Sequence, residues 1–142
     1  MTVEGLDSLL KKLDRLGKCS TKVVAKAVSE VTKKVQGDAK DLAPEDQGQL
    51  RNLIISEVIE GKNEVTGIVS STAEHNAYVE FGTGQRGGNS NIPAKEEFDI
   101  AYKEDWAGME PQPYMYPAMK QNEEYIKETI AATIRMELRK DD

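Results

Sequence analysis

Val24, Val28, Val31, Val35, Ala39 and Leu42 recur at steps of four, three, four, four and three residues, and this stripe restricts the fold more than any other feature of the chain. The spacing puts all six side chains on one face of a helix of about five turns. Valine is only a moderate helix former, so such a helix depends on burying its stripe rather than on intrinsic propensity. Ser20 or Thr21 can cap its start, and Pro44 ends it, because the residue ahead of a proline is driven out of the helical region. A shorter amphipathic helix is expected before it from Leu6, Leu9, Leu10, Leu13 and Leu16, with Gly17 at the position of a C-cap glycine.

The long helix needs a layer to lie on, and the residues after it supply one. Leu53 to Glu60 reads as a strand, and Gly61-Lys62-Asn63 joins it to a second run from Glu64 to Ser71, so the pair predicts an antiparallel hairpin. Two strands are too few to be stable alone. They need the long helix on one face and a further strand or a neighbouring subunit along an edge. From about Pro117 to Lys140, Ile126, Ile130, Ile134 and Leu138 recur every four residues and predict a second long amphipathic helix. The expected fold is α+β: a small antiparallel sheet packed against a long helix near the N-terminus and a long C-terminal helix, with a long inserted loop. At 142 residues the chain fits one domain, 1–142.

The inserted loop is residues 84–110. Gly84-Gln85-Arg86-Gly87-Gly88-Asn89-Ser90-Asn91 has the density of glycine and asparagine expected of a flexible segment. Farther in, Ala94, Phe98, Ala101 and Tyr102 could form one face of a short helix. Loops this long are uncommon in compact domains unless functional or disordered. Phe98, Ile100, Tyr102 and Trp106 would be wasted in a solvated linker, so Phe98, Tyr102 and Trp106 are candidates for contact with a partner. Pro111, Pro113 and Pro117 then make a stiff strap that sets where the last helix docks.

Composition narrows function by exclusion. The net charge is −6, and it is uneven: residues 1–42 carry nine Lys or Arg against six Asp or Glu, the rest ten against nineteen. Proteins that grip DNA cluster Lys and Arg on one face, and an acidic whole argues against that mode. The unevenness suits electrostatic matching between subunits or between an assembly and its partner. The longest strictly aliphatic run, Leu53-Ile54-Ile55, is far short of a membrane span, and the first residues lack a basic region followed by an apolar one, so cytoplasmic synthesis is expected.

Chemistry finds no signature. One cysteine, Cys19, cannot form an internal disulfide, and with the single histidine, His75, it cannot build a tetrahedral zinc set. Gly82, Gly84, Gly87 and Gly88 lack the Gly-Lys-Ser/Thr ending of a phosphate loop. Ser70-Ser71-Thr72 lacks the glycine frame of a nucleophile elbow. No catalytic, metal or cofactor residue is assigned, and no enzyme activity is expected. The remaining conspicuous residues, Tyr78, Phe81, Tyr114, Tyr116 and Met119, are of the kind that anchors interfaces.

Three short motifs carry the rest. They are Ala43-Pro44 with Gly48 and Leu50-Arg51; Tyr78-Val79-Glu80-Phe81-Gly82-Thr83-Gly84; and Pro111-Gln112-Pro113-Tyr114 with Pro117-Ala118. In this order and at this spacing the chain, over roughly residues 5 to 135, resembles the head-tail joining (neck or tail-completion) proteins of long-tailed, siphovirus-type double-stranded DNA bacteriophages. Asp46-Gln47-Gly48 stands where that family often has Asp-Thr-Gly.

The resemblance implies a structural virion protein of the neck, found in the host cytoplasm during assembly. It would form a homo-oligomeric ring, most often of six subunits, that completes the tail and joins it to the capsid connector, with DNA passing through its lumen. Its partners would be the head-closure or connector protein and the tail-terminator or tail-tube protein. Subunit contacts are expected at Arg51, Tyr78, Glu80, Phe81, Gly82, Thr83, Tyr114 and Tyr116, with Arg51 a partner for Glu80. Acids of the hairpin or the loop would line the lumen and repel phosphates. The alternatives are a head-closure, tail-terminator or other minor tail protein, and a non-viral binding module with a pocket around Glu80 or His75.

Overall fold

The computed structural model describes residues 6–15, 20–44, 49–62, 64–73, 76–92, 95 and 100–140. Gly17, Cys19, the turn residues Glu45 to Gly48, His75, Ala94 and Phe98 lie outside the described residues. In chain order the elements are α1 (Leu6–Arg15), α2 (Ser20–Leu42), a 3-10 turn (Leu50–Leu53), β1 (Ile54–Glu60), β2 (Val65–Ser71), α3 (Asn76–Phe81), α4 (Gly84–Gly88), α5 (Met115–Gln121) and α6 (Glu123–Arg139). The fold is α+β, helices on a two-stranded antiparallel sheet, as the apolar patterns predict.

The hairpin is closed at both ends in one register. Thr72 N–H donates to the Leu53 carbonyl at 3.0 Å, and Gly61 N–H donates to the Glu64 carbonyl at 2.7 Å. These bonds set Val58 opposite Gly67. With strand side chains alternating between faces, Ile55, Glu57 and Ile59 share the other face of β1 and are all exposed.

The chain divides into two compact units. The first comprises residues up to Val35, Ser56–Val69, and Asn122 onward. Here α1 packs on α6, and α6 buries Ile126, Ile130 and Ile134, each stabilising by roughly 2 kcal/mol relative to exposure. From α2, Ala25, Ala27, Val31, Thr32 and Val35 are buried, whereas Val24 and Val28 are only partly so. The helix thus approaches its neighbours over alanines as much as over the valine stripe. Gly67 shows how close that approach is: a Cβ there would overlap the Thr32 hydroxyl and lie 2.9 Å from Val28 Cγ1. Thr32 turns its hydroxyl back to the Val28 carbonyl at 2.6 Å, which satisfies the buried polar group. Lys22 pairs with Glu60 at 3.2 Å, and the Lys34 ammonium lies 5.9 Å from the Tyr125 ring centroid.

The second unit comprises Gln36–Ile55 and Ser70–Gln121. Its core contains Ala39, Ala43, Leu50, Ile54, Ala73, Val79, Phe81, Tyr114 and Ala118. The Gln36 side chain donates to the Ile54 carbonyl at 3.0 Å, and Asn76 Nδ2 donates to the Ser71 carbonyl at 3.2 Å, so two outward-facing strand carbonyls are satisfied by helix side chains.

Two expectations are corrected. Leu42, read as the last member of the α2 stripe, is 40 % exposed, and Ala43 is buried in its place, because the chain leaves the helix at that point. The last helix is two helices, α5 and α6, broken at the buried Asn122. Its backbone at φ −101°, ψ 4° leaves the helical track, while its carbonyl accepts the Ile126 N–H at 2.8 Å to start α6. Of residues 84–110, expected as a flexible glycine loop with a short helix, Gly84–Gly88 form the single turn α4 and Ile100 to Met109 form no helix, while Ala94 and Phe98 lie outside the described residues. A ladder of hydrogen bonds joins Thr83, Gln85 and Arg86 to Glu104, Trp106, Ala107 and Met109.

Candidate functional site

The second and third motifs meet in the second unit, and the joint is a buried carboxylate. The start of any helix leaves its first backbone N–H groups without intrahelical partners. Pro117, in the first turn of α5, removes one of these donors by its chemistry. Glu80, at the end of α3, takes up others: Oε2 accepts from Tyr114 N–H at 2.7 Å and Met115 N–H at 2.9 Å, and Oε1 accepts from Tyr116 N–H at 3.0 Å. Glu80 is 5 % exposed. Three charge-assisted bonds at the positive end of a helix are what such a buried carboxylate requires.

Backbone bonds extend the joint on both sides. Gln112 N–H donates to the Val79 carbonyl at 2.8 Å. Thr83 and Met109 pair twice, Thr83 N–H to the Met109 carbonyl at 3.0 Å and Met109 N–H to Thr83 Oγ1 at 2.8 Å. Gln85 N–H donates to the Trp106 carbonyl at 2.8 Å, Arg86 N–H to the Ala107 carbonyl at 3.0 Å, and the Gln85 side chain to the Glu104 carbonyl. At Gly84 and Gly108 the two segments of this ladder lie too close for a side chain. Gly108 has φ +75°, and a Cβ on it would overlap the Thr83 carbonyl. Lys95 ties off the end of α4, donating to the carbonyls of Gly87 at 2.9 Å, Gly88 at 2.8 Å and Ser90 at 2.8 Å, with its ammonium 5.1 Å from the Tyr102 ring centroid. A cation on the last carbonyls of a helical turn is favourable.

Two phenols are buried in this unit without a hydrogen-bond partner among the described residues, Tyr102 and Tyr114. Burial pushes both above the ordinary tyrosine pKa. At Tyr114 the Ser71 hydroxyl pulls the other way and the Glu80 charge adds to the rise; the Ser71 pair falls short of hydrogen-bond geometry, so burial dominates. A shallow depression of about 470 Å³ is lined by Gly84, Gln85, Gly88, Asn89, Tyr102, Lys103 and Glu104. No group of three or more His, Cys, Asp or Glu that could hold a metal occurs among the described residues.

The residues expected at a subunit contact separate into two sets. Glu80, Phe81, Gly82 and Tyr114 are interior. Arg51, Tyr78 and Tyr116 are exposed and Thr83 is partly so. Arg51 pairs with Asp41 at 3.2 Å, both well solvated, and Glu80 is an internal cap bonded to three backbone N–H groups, so the structure does not bring Arg51 and Glu80 together within the chain. Of the loop candidates, Trp106 is exposed, Tyr102 is half-buried with its hydroxyl inside, and Phe98 is not described. Sequence reasoning missed the Lys95 clamp, for which a lone lysine in a polar stretch gives no signal. It also missed the capping role of Glu80, whose one clue is an acid between the apolar Val79 and Phe81.

No curated protein and no solved structure matches the chain significantly. A family model described as "Bacteriophage HK97-gp10, putative tail-component" matches residues 7–82, from α1 through the hairpin to Gly82 within the second motif. That is more than half of the chain, which therefore belongs to the HK97-gp10-like family of bacteriophage tail components.

Proposed function

We propose that this tail component is a neck protein, a ring that completes the tail and joins it to the capsid connector, with DNA passing through its lumen. Its work is structural, carried out in the virion against other virion proteins, and involves no catalysis. The observation that carries the reading is the family match over residues 7–82 followed by the third motif, whose Tyr114–Tyr116 backbone is bonded to Glu80 of the second. A locked joint of this kind suits a part that bears load between two larger assemblies.

Charge supports the passage of DNA. The first unit carries thirteen Lys or Arg against thirteen Asp or Glu, the second six against twelve, so the whole net charge of −6 resides in the second. A ring of six such subunits is strongly acidic, and carboxylates toward a lumen repel phosphates that lysines would hold. Acids of the hairpin or of residues 84–110 are the proposed lining.

The test is mass determination by light scattering with negative-stain imaging of the purified protein, alone and mixed with isolated tails. A ring, free or capping tail ends, is the expected result. A monomer that ignores tails, or a ring whose lumen is lined by Lys and Arg, would overturn the reading.

A further inference from the structure

Trp106, the one tryptophan of the chain, stands 52 % exposed on backbone that is held on both sides. Its own carbonyl and those of Glu104, Ala107 and Met109 are all taken by bonds from Thr83, Gln85 and Arg86. Exposed indole on a mobile loop is unremarkable, but exposed indole on a fixed one is prepaid ordering, the property that lets a large aromatic anchor an interface. In the sequence Trp106 is flanked by exposed acids, Glu104 and Asp105 before it and Glu110 after it.

A complementary feature lies on α6. Ala132, Arg135, Met136 and Arg139 follow the i, i+3, i+4, i+7 pattern of one helix face and are all exposed, away from the buried Ile126, Ile130 and Ile134. Met136 is 61 % exposed, the highest value for any large hydrophobic residue among those described. On the helix it is neighboured by Arg135 and Arg139. Thioether sulfur packs favourably on aromatic rings, and guanidinium pairs with carboxylate in directed, two-pronged bonds. An indole rimmed by acids and a methionine rimmed by arginines match in both respects.

We infer that the Trp106 loop of one copy docks on the Arg135–Met136–Arg139 stripe of α6 of a second copy. The inference rests on the ring reading above and gives that ring its subunit contact. The two patches differ, so the contact is heterologous, the kind of contact from which rings with more than two subunits are built. It assigns Glu104 and Asp105 to the contact and leaves the exposed hairpin acids Glu57 and Glu64 for the lumen.

The test is charge exchange followed by cross-linking. The double variant Glu104→Lys/Asp105→Lys is expected to raise the concentration at half-assembly at least tenfold, as is Arg135→Glu/Arg139→Glu, and an equimolar mixture of the two is expected to assemble better than either alone. In a Cys19→Ser background, Trp106→Cys mixed with Met136→Cys should give disulfide-linked dimers between the two variants under mild oxidation. If wild-type protein assembles while neither charge variant weakens it and the cysteines do not cross-link, this inference is overturned and the ring reading stands. If the charge variants assemble normally among themselves but fail to bind tails, the occupant is another virion protein and the inference is again overturned. If wild-type protein stays monomeric with and without tails, both fall together.

Discussion

The two units of this chain are held by different means. In the first, α2 and α6 bury apolar stripes, and what matters is side-chain volume: Val31, Val35, Ile126, Ile130 and Ile134 fill it, and Gly67 marks where the helix and strand leave room for no more. In the second, the joint between α3 and α5 and the ladder from Thr83 to Met109 are made of backbone donors, one buried carboxylate and glycines whose backbones nearly touch. A unit built from side-chain volume degrades gradually with each lost methylene. One built from backbone donors around a single acceptor fails at that acceptor, because buried N–H groups left without partners carry their full desolvation cost.

The largest expected effect follows directly. Glu80→Ala leaves three N–H groups of Tyr114, Met115 and Tyr116 without their acceptor and should destabilise by about 4 kcal/mol. Glu80→Gln keeps one acceptor oxygen but turns an NH2 toward a donor, and should lose about half as much; chemical denaturation measures both. A near-neutral Glu80→Ala would break the comparison, since it would mean the joint does not depend on the acceptor.

Ile130→Ala in the first unit should cost about 3 kcal/mol, within the usual range for a buried isoleucine. Ile130→Val should cost about 1 kcal/mol, and this graded response in thermal melts is the signature of a volume-built unit. Gly108→Ala in the second should cost about 2 kcal/mol despite adding only one methyl group, because the left-handed backbone and the Thr83 carbonyl both oppose it.

Tyr114 sharpens the comparison through pH. Burial raises its pKa above 10.0, so the folded state favours the neutral phenol more than the unfolded state does. The stability from this difference is fully present below pH 10 and is lost as pH rises through the folded-state pKa. Tyr114→Phe should flatten that alkaline decline, and at pH 7 it should be neutral or stabilising by about 1 kcal/mol, because the hydroxyl it removes has no partner among the described residues. Denaturant midpoints at pH 7 and pH 10.5 report both effects.

The smallest effect is expected at Arg51→Ala, within about 0.5 kcal/mol of wild type, since its pair with Asp41 is solvated on both sides. A larger loss in melts of the isolated protein would give Arg51 a role in stability that the geometry does not.

The first unit was largely legible before the structure, and the second was not. The α2 and α6 stripes and the strand ends at Glu60 and Ser71 follow from apolar spacing and turn chemistry, which are local and repeat along the chain. Even there, the break at Asn122 escaped, because the isoleucine spacing runs on from α6 without recording where the helix begins. In the second unit the three motifs were visible as motifs, yet their glycines and polar residues suggested a loose loop. Glu80 looked like a surface partner for Arg51 for the same reason: its acceptors point at residues more than thirty positions away, a separation at which no periodicity operates.

The sequence by itself determined the α+β class, the helices and strands whose buried faces recur at fixed steps, and the ordered motifs that pointed to a phage joining protein. Only the tertiary structure decided that Glu80 is an internal cap, that Gly108 and Thr83 share one close contact, and that Trp106 is held in place while exposed. The reason is physical. Side-chain burial on a regular element imprints its period on neighbouring residues, whereas a backbone N–H is the same in every residue but proline, so its partner is chosen by where the chain returns in space.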